Sequence, residues 1–497
     1  MYRPRRVASI PGSRLCRSLG ALRSGPLCFA GWRPPELAPP RSEPLLTRLR
    51  RKLTAEGRQP GWVGRSLRYR ARRGDRSAWR LATAAVRRRL LRYASAPLSS
   101  VEEAGADRRV IILLFSAWGM GGTIRTTLNL AAYLAAERYE VEIISVMRSR
   151  EDPFFGEFPP GVKVTALDDK RPEAVRPAPM ALTRRLLRRC PSVLVHPSER
   201  WAPWFSLWTD VRLVRKLRGR SGYLVATRPG LNLIAALLSP PGMVVIGAEH
   251  MHLHHHARPL RKSMRRVYPK LDGFAVLTEG TKREYEPVLD GHMPVAVIPN
   301  SARDLGGRTA DLDSKTVLAA GRLVAQKGFD YLIPAFAQVS SVHPDWRLRI
   351  CGRGKLQQQL QAMIEDHGLT DVVTLAPPAD DMAAEFESAS IFALSSRFEG
   401  FPLTLLEAMS KGMAVVGFDC PTGPADLIDD HHNGVLAAPR DAGALASALL
   451  EMIEDAELRR RCAAAAVETA RRYGMETIGP LWDDFLREVR EERMATA

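Results

Sequence analysis

Beyond residue 108 the chain alternates continuous apolar runs with longer stretches in which apolar residues recur at every third or fourth position. "VIILLFS" (110–116), "EVEIISV" (140–146), "GYLVAT" (222–227), "MVVIGAEH" (243–250), "GFAVLT" (273–278) and "VAVIPN" (295–300) read as strands, apolar on both faces as in a covered parallel sheet. "LNLAAYLAAERY" (128–139) separates the first two, giving a strand, helix, strand opening. After the linker-like "PNSARDLGGRTADLDSK" (299–315) a second series begins: "TVLAAG", "RLRICG", "VVTLA", "IFALSS", "AVVGFD" and "GVLAAP", with helical segments between them. The pattern predicts an α/β protein of two doubly wound domains, 108–300 and 301–470, facing a cleft, and a closing helix within 471–497. Sites in such domains lie in the loops beyond the carboxyl ends of the strands. The Arg- and Pro-rich stretch 170–222 shows no clear period and predicts no element.

Residues 1–107 form a basic extension, rich in Arg, Pro and Gly and expected to be largely disordered. One segment is periodic. Trp79, Ala82, Val86, Leu90 and Tyr93 recur at helical spacing while Arg80, Arg87, Arg88 and Arg92 fall elsewhere, so a basic amphipathic helix is expected near 76–94, with Asp75 as its cap. Such a helix suits an anionic membrane surface or packing against the body of the protein.

Charge sharpens this division. The formal net charge is +19, yet the first 100 residues carry 24 Lys and Arg against 4 Asp and Glu, leaving 49 against 50 in the rest. The body is therefore electrically balanced, which argues against a nucleic-acid partner. Six scattered cysteines without a C-x-x-C pair point to reduced thiols rather than a disulfide framework or zinc ribbon. The longest apolar stretch is broken by Pro240-Pro241, and the start has no continuous apolar core for a signal peptide. The expectation is a cytoplasmic protein, peripheral at most on the inner face of the membrane.

The strand-end loops of the second domain carry the chemistry. "AAGRLVAQKGF" places Arg322 and Lys327 after the first strand, Lys327 as an exposed loop cation; "CGRGK" places Gly352 and Gly354 after the second, where small residues let backbone approach a ligand. "SSRFEGFPLTLLEAMSKG" puts Glu399 in a Gly/Pro loop and Glu407 within the helix that follows. The backbone N–H groups of Gly400, Phe401 and Leu403 sit at that helix start, a favourable place for a diphosphate. Glu399 would then accept hydroxyls of a sugar on one side, and Glu407 those of a ribose on the other.

These residues resemble the retaining glycosyltransferases of family 4, which have the GT-B fold of two Rossmann-like domains. Glu399 and Glu407 match the family's Glu-x7-Glu motif, Arg322 and Lys327 its Arg-x4-Lys pair, and Gly119, Gly121 and Gly122 in "WGMGGTIRT" its first-domain glycine loop. The resemblance implies that Arg322 and Lys327 bind the donor diphosphate, Glu399 the donor sugar and Glu407 the ribose. It further implies a nucleotide-sugar donor and no metal or other cofactor, with His250 beside the donor sugar. The acceptor would be a hydroxyl of a glycan or polyol-phosphate of the cell envelope.

Other readings stay open. The histidines of "GAEHMHLHHH" invite zinc, although they lack fixed helical spacing. Arg258, Arg261, Lys262, Arg265 and Arg266 could face an acidic acceptor, a lipid surface or solvent. A sugar-nucleotide epimerase on the same fold, or a non-catalytic membrane-associated protein that binds sugar nucleotides, would use much of the same constellation.

Overall fold

The computed structural model describes residues 76–96, 105–172 and 182–496, apart from 292, 304 and 380. The expected disorder before residue 76, the Asp75 cap and the side chains of Trp79, Arg80 and Ala82 lie outside the described residues.

Two wholly parallel sheets carry the fold. The first contains β1 (Arg109–Leu114), β2 (Glu140–Arg148), β3 (Val162–Asp169), β4 (Gly222–Ala226), β5 (Met243–Ala248), β6 (Gly273–Val276) and β7 (Val295–Val297), in the order β3-β2-β1-β4-β5-β6-β7. The second contains β8 (Thr316–Ala320), β9 (Arg347–Cys351), β10 (Val373–Ala376), β11 (Ile391–Leu394), β12 (Ala414–Phe418) and β13 (Val435–Ala437), in the order β10-β9-β8-β11-β12-β13. Both orders reverse between the first strand and a later one, β1 beside β4 and β8 beside β11. A crevice opens at such a switch point, beyond the carboxyl ends of the strands. The apolar runs fill these sheets because both faces are covered: Val110 to Leu114 alternate between two core clusters, Ile111 and Leu113 on one side, Val110, Ile112 and Leu114 on the other.

The closing helix, Met475–Thr496, packs on the first domain and not the second. Ile478, Trp482, Phe485, Leu486 and Val489 join the core beneath β1 and β5. Each such side chain contributes about 1.5–3 kcal/mol relative to exposure. Close packing fixes the seat: a Cβ on Gly273 would lie 2.5 Å from Val489, and Tyr133 Oη donates to Asp483 at 2.8 Å. The chain thus crosses between domains twice, near residues 298–315 and near 471–475, and the crossings are bonded by Ala302 N–H to Tyr473 carbonyl at 2.7 Å.

The described part of the stretch that predicted no element contains two α-helices, Leu182–Arg189 and Leu207–Leu217. Ser206 and Thr209 form a reciprocal cap on the second. The basic helix of the extension runs from Arg76 to Ser95, but its inward stripe differs from the expected one. Leu90, Leu91 and Ala94 pack on the first-domain core, whereas Val86 and Tyr93 are 38% and 42% exposed. Arg218 stacks over the Tyr93 ring at 3.9 Å.

Candidate active site

The carboxyl end of β8 is locked onto that of β11. Gly328 has φ 65, and a Cβ there would stand 1.8 Å from the Ser395 carbonyl oxygen, so only glycine permits the approach. Ser395 Oγ donates to the Lys327 carbonyl at 2.9 Å and Arg397 N–H to that of Gln326 at 2.8 Å. This clamp places Lys327 Nζ 2.7 Å from Glu399 Oε1, an oxygen that also accepts from Ser396 Oγ at 2.6 Å. Lys327 is therefore not the exposed cation expected of a loop: its side chain is 15% exposed, because the clamp folds it onto a carboxylate that is itself 8% exposed. Glu399 Oε2 has no hydrogen-bond partner among the described residues. Arg322 stays exposed, its guanidinium 3.4 Å from Gln326 Oε1.

Gly352 and Gly354 serve backbone packing rather than open space for a ligand. Their absent Cβ atoms would lie 1.9 Å from the Gly321 carbonyl oxygen and 2.2 Å from that of Leu323, so they admit the β8 loop.

The helix Leu403–Ser410 begins after Pro402. Leu403 N–H is already spent on the Phe401 carbonyl at 2.9 Å, which removes it from the expected set of three donors. The N–H groups of Gly400 and Phe401 have no such partner among the described residues. Burial pushes the Glu407 carboxyl up, opposed by the guanidiniums of Arg125 and Arg303.

The first domain meets this helix start directly. Gly121, at φ 155 and ψ 154, occupies a region reserved for glycine and caps the helix Gly122–Ala136. Ile124 and Arg125 N–H donate to its carbonyl at 3.1 Å. A Cβ on Gly119 would touch Ile124 Cδ1 at 3.0 Å, and one on Gly122 would touch Leu403 Cδ1 at 3.2 Å. Two helix N-termini thus converge on one place. At the end of β5, a Cβ on Gly400 would stand 2.1 Å from the His250 carbonyl oxygen, so the Glu399 loop and the His250 loop touch across the cleft.

Burial pushes the His250 imidazole down to about 4, with the Asn300 side chain pulling it up and Arg228 adding to the depression. It is neutral at pH 7, and its Nδ1 is buried without a hydrogen-bond partner. Glu249 is a core group: it accepts from Asn232 Nδ2 at 2.9 Å and Tyr268 Oη at 2.7 Å.

The neighbouring histidines pack ring against ring, His255 lying 5.9 Å from His252 and 6.0 Å from His256. His252 and His255 approach the Phe398 ring at 6.1 and 5.1 Å, His254 Nδ1 lies 2.8 Å from Arg261, and His256 Nε2 lies 3.7 Å from Glu249. Among the described residues no group of three His, Cys, Asp or Glu side chains has a metal-holding arrangement. Of the following basic stretch, Leu260 and Met264 face the core, while Arg258, Lys262, Arg265 and Arg266 are exposed.

Residues 120–302 match the family described as glycosyltransferase family 4, and residues 304–469 the one described as glycosyl transferases group 1. The chain belongs to the family 4 glycosyltransferases. It is 34% identical over 391 residues to an exopolysaccharide phosphotransferase of Streptomyces coelicolor, an alignment covering 77% of this chain but only 41% of that protein. It is 24% identical over 387 residues to the amylovoran biosynthesis glycosyltransferase AmsD of Erwinia amylovora, covering 76% of this chain and 99% of the relative. Its fold is that of S. aureus TarM, solved as a mutant in complex with fondaparinux, alpha-GlcNAc-glycerol and UDP, with a TM-score of 0.60 at 15% identity over 76% of this chain and 99% of that one. The two sheets and their cleft are the GT-B architecture of the family.

Three arginines of the cleft do not stand out in the sequence. Arg125 is visible in hindsight three residues beyond Gly122, on the first turn of a helix whose start faces the cleft. Arg303 lies in the interdomain linker, which carries no period. Arg228 follows β4, its guanidinium bonded to Glu199 at 2.9 Å and stacked over the Phe115 and Trp201 rings at 5.3 and 5.8 Å. It belongs to a constellation dispersed over the chain, so no local spacing marks it.

Proposed function

We propose that this chain transfers a hexosyl group from a nucleoside-diphosphate sugar to a hydroxyl of a glycan or polyol-phosphate acceptor of the cell envelope, with retention at the anomeric carbon and without a metal ion. The observation that carries this reading is the convergence of Lys327, Glu399 and His250 with two helix N-termini in one cleft.

The donor diphosphate rests on the N–H groups of Gly400 and Phe401, facing Arg322 and Lys327. These supply the counter-charge that a metal would otherwise provide, each charge-assisted hydrogen bond contributing roughly 1.5–3 kcal/mol. The Glu399 oxygen not committed to Lys327 and Ser396 accepts from the sugar hydroxyls, and Glu407 accepts from the ribose. Neutral His250 exchanges a hydrogen bond with the sugar without bringing a second positive charge to it. As the bond from the anomeric carbon to the diphosphate breaks, the acceptor oxygen bonds to that carbon on the same face, and its proton passes to a donor phosphate oxygen. Stabilising the developing diphosphate charge is the protein's main contribution to rate.

AmsD, by name a glycosyltransferase of amylovoran biosynthesis, and the UDP and alpha-GlcNAc-glycerol in complex with TarM support this donor and acceptor class. The phosphotransferase activity in the Streptomyces relative's name belongs to a protein of which this chain spans under half.

The test is thermal stabilisation by UDP, GDP, ADP and CDP with EDTA present, followed by sugar release with and without a polyol-phosphate acceptor. A ligand at 100 times its Kd stabilises by about 2.7 kcal/mol. The expected result is a shift with one nucleotide, UDP first, and acceptor-dependent turnover of its sugar conjugate. Nucleotide release that ignores the acceptor would favour an epimerase. Binding without turnover of any donor would leave a sensor.

A further inference from the structure

The first domain presents an arginine-rich outer surface that the transfer reading does not use. The helices Leu182–Arg189 and Arg76–Ser95 both pack against Leu207–Leu217, on the side of the sheet whose core holds Leu213, Val214 and Ala94. On the first of these, Leu182, Arg185, Leu186 and Arg189 recur at i, i+3, i+4 and i+7 and therefore share one face. All four are exposed, Leu182 by 72% and Leu186 by 52%. The opposite side of that helix accounts for its anchoring, through the ion pairs of Arg184 and Arg188 with Asp168 at 3.2 and 3.0 Å. On the second helix Val86, Arg89, Arg92 and Tyr93 repeat the design, apolar and cationic groups together on the outward side.

On the described residues of these helices themselves no exposed carboxylate offsets the charges. Among the described residues of these helices and of Leu207–Leu217, Pro229–Leu238 and Arg258–Val267, the one acidic residue is Asp210, which is buried against Ser192 and Val193. The exposed cations of Arg258–Val267 extend the same basic character along that side, since this helix packs beside Pro229–Leu238.

We propose that this surface docks on an anionic lipid bilayer, with Leu182, Leu186, Val86 and Tyr93 entering the headgroup region and the interleaved arginines meeting lipid phosphates. A soluble polyanion would be held by the arginines alone and has no use for leucines more than half exposed. Apolar side chains set among cations are what an interfacial helix needs. The basic residues add attraction to acidic headgroups that falls away within a Debye length, so contact has to be close. This inference stands apart from the transfer chemistry and is tested without it.

The experiment is flotation of the full chain with vesicles of phosphatidylcholine alone or mixed with phosphatidylglycerol, at physiological salt, alongside a Leu182→Asp/Leu186→Asp variant. Both leucines are exposed, so the variant is expected to melt within about a degree of the parent. The parent should float with the mixed vesicles and not with phosphatidylcholine alone, and the variant should bind the mixed vesicles at least about fivefold more weakly. The Arg-rich residues before 76 are common to both chains, so the difference reads the helix. Equal binding of the two proteins would overturn the proposal, as would equal binding to neutral and anionic vesicles. Displacement of both proteins from vesicles by soluble poly(glycerol phosphate) with the same midpoint would overturn it in favour of a polymer-binding surface.

Discussion

In the second domain Glu399 Oε1 already holds Lys327 and Ser396 at 2.7 and 2.6 Å, and no buried side-chain polar atom there lacks a partner among the described residues. Across the cleft, Ser116 Oγ, Arg228 Nε and His250 Nδ1 are all buried and unpartnered. These three lie just beyond the carboxyl ends of β1, β4 and β5. An unpaired buried polar atom costs roughly 1–3 kcal/mol, so the first half of the cleft carries a cost that a hydroxyl-rich ligand can relieve. The second half is preorganised by an ion pair, and the first by polar atoms that the protein itself leaves unpaired.

Breaking the charged half should have the largest effect. Lys327→Ala is expected to lower kcat about 100-fold or more through lost stabilisation of the leaving group. Because Lys327 is folded onto Glu399, it should also reduce stability by about 1–3 kcal/mol, read as a lower denaturation midpoint. An unchanged midpoint would show that the pair is loose. Glu407→Gln should weaken nucleotide affinity about 10-fold with little change in melting temperature, measured by calorimetry; an unaltered Kd would remove Glu407 from the ribose site.

His250 sharpens the comparison from the other side. Its folded value of about 4 lies below the usual 6.5, so the neutral imidazole is the form that fits. Its contribution is fully present above pH 6.5 and is lost as pH falls toward 4, by at most about 3 kcal/mol. Stability measured by denaturant between pH 7 and 4 should fall more steeply for the parent than for His250→Gln; parallel slopes would show that the ring is solvated. The smallest effect is expected from Arg125→Met, about threefold in nucleotide affinity, because Arg303 still flanks Glu407. A larger loss would make Arg125 a direct ligand of the donor.

The sheets were legible because a parallel strand covered on both faces must be apolar along its length, as β1 and β5 are. The second-domain site was legible because its residues fall within short loops at fixed spacing, the Arg322 to Lys327 loop and the Glu399 to Glu407 stretch. Three expectations failed for reasons that lie outside local sequence. The glycines at 352 and 354 make way for a neighbouring loop and not a ligand. Lys327 is drawn in by a carboxylate 72 positions along the chain. The inward stripe of Arg76–Ser95 is set by the surface that receives it, so leucines 90 and 91 turn inward and Val86 and Tyr93 do not. Arg228 was illegible because its partners Glu199, Phe115 and Trp201 come from separate loops.

The paired crossing of the chain between domains has a mechanical consequence. A single linker would allow the halves to swivel, whereas two segments of chain tied by the Ala302 to Tyr473 bond would act as a pair of door hinges, limiting any relative rotation. Tyr473 also lies 5.6 Å from the Phe401 ring, beside the proposed diphosphate seat. The pivot of the door therefore stands next to its latch, where a small rotation changes the gap at the seat least and the gap at the far rim of the cleft most.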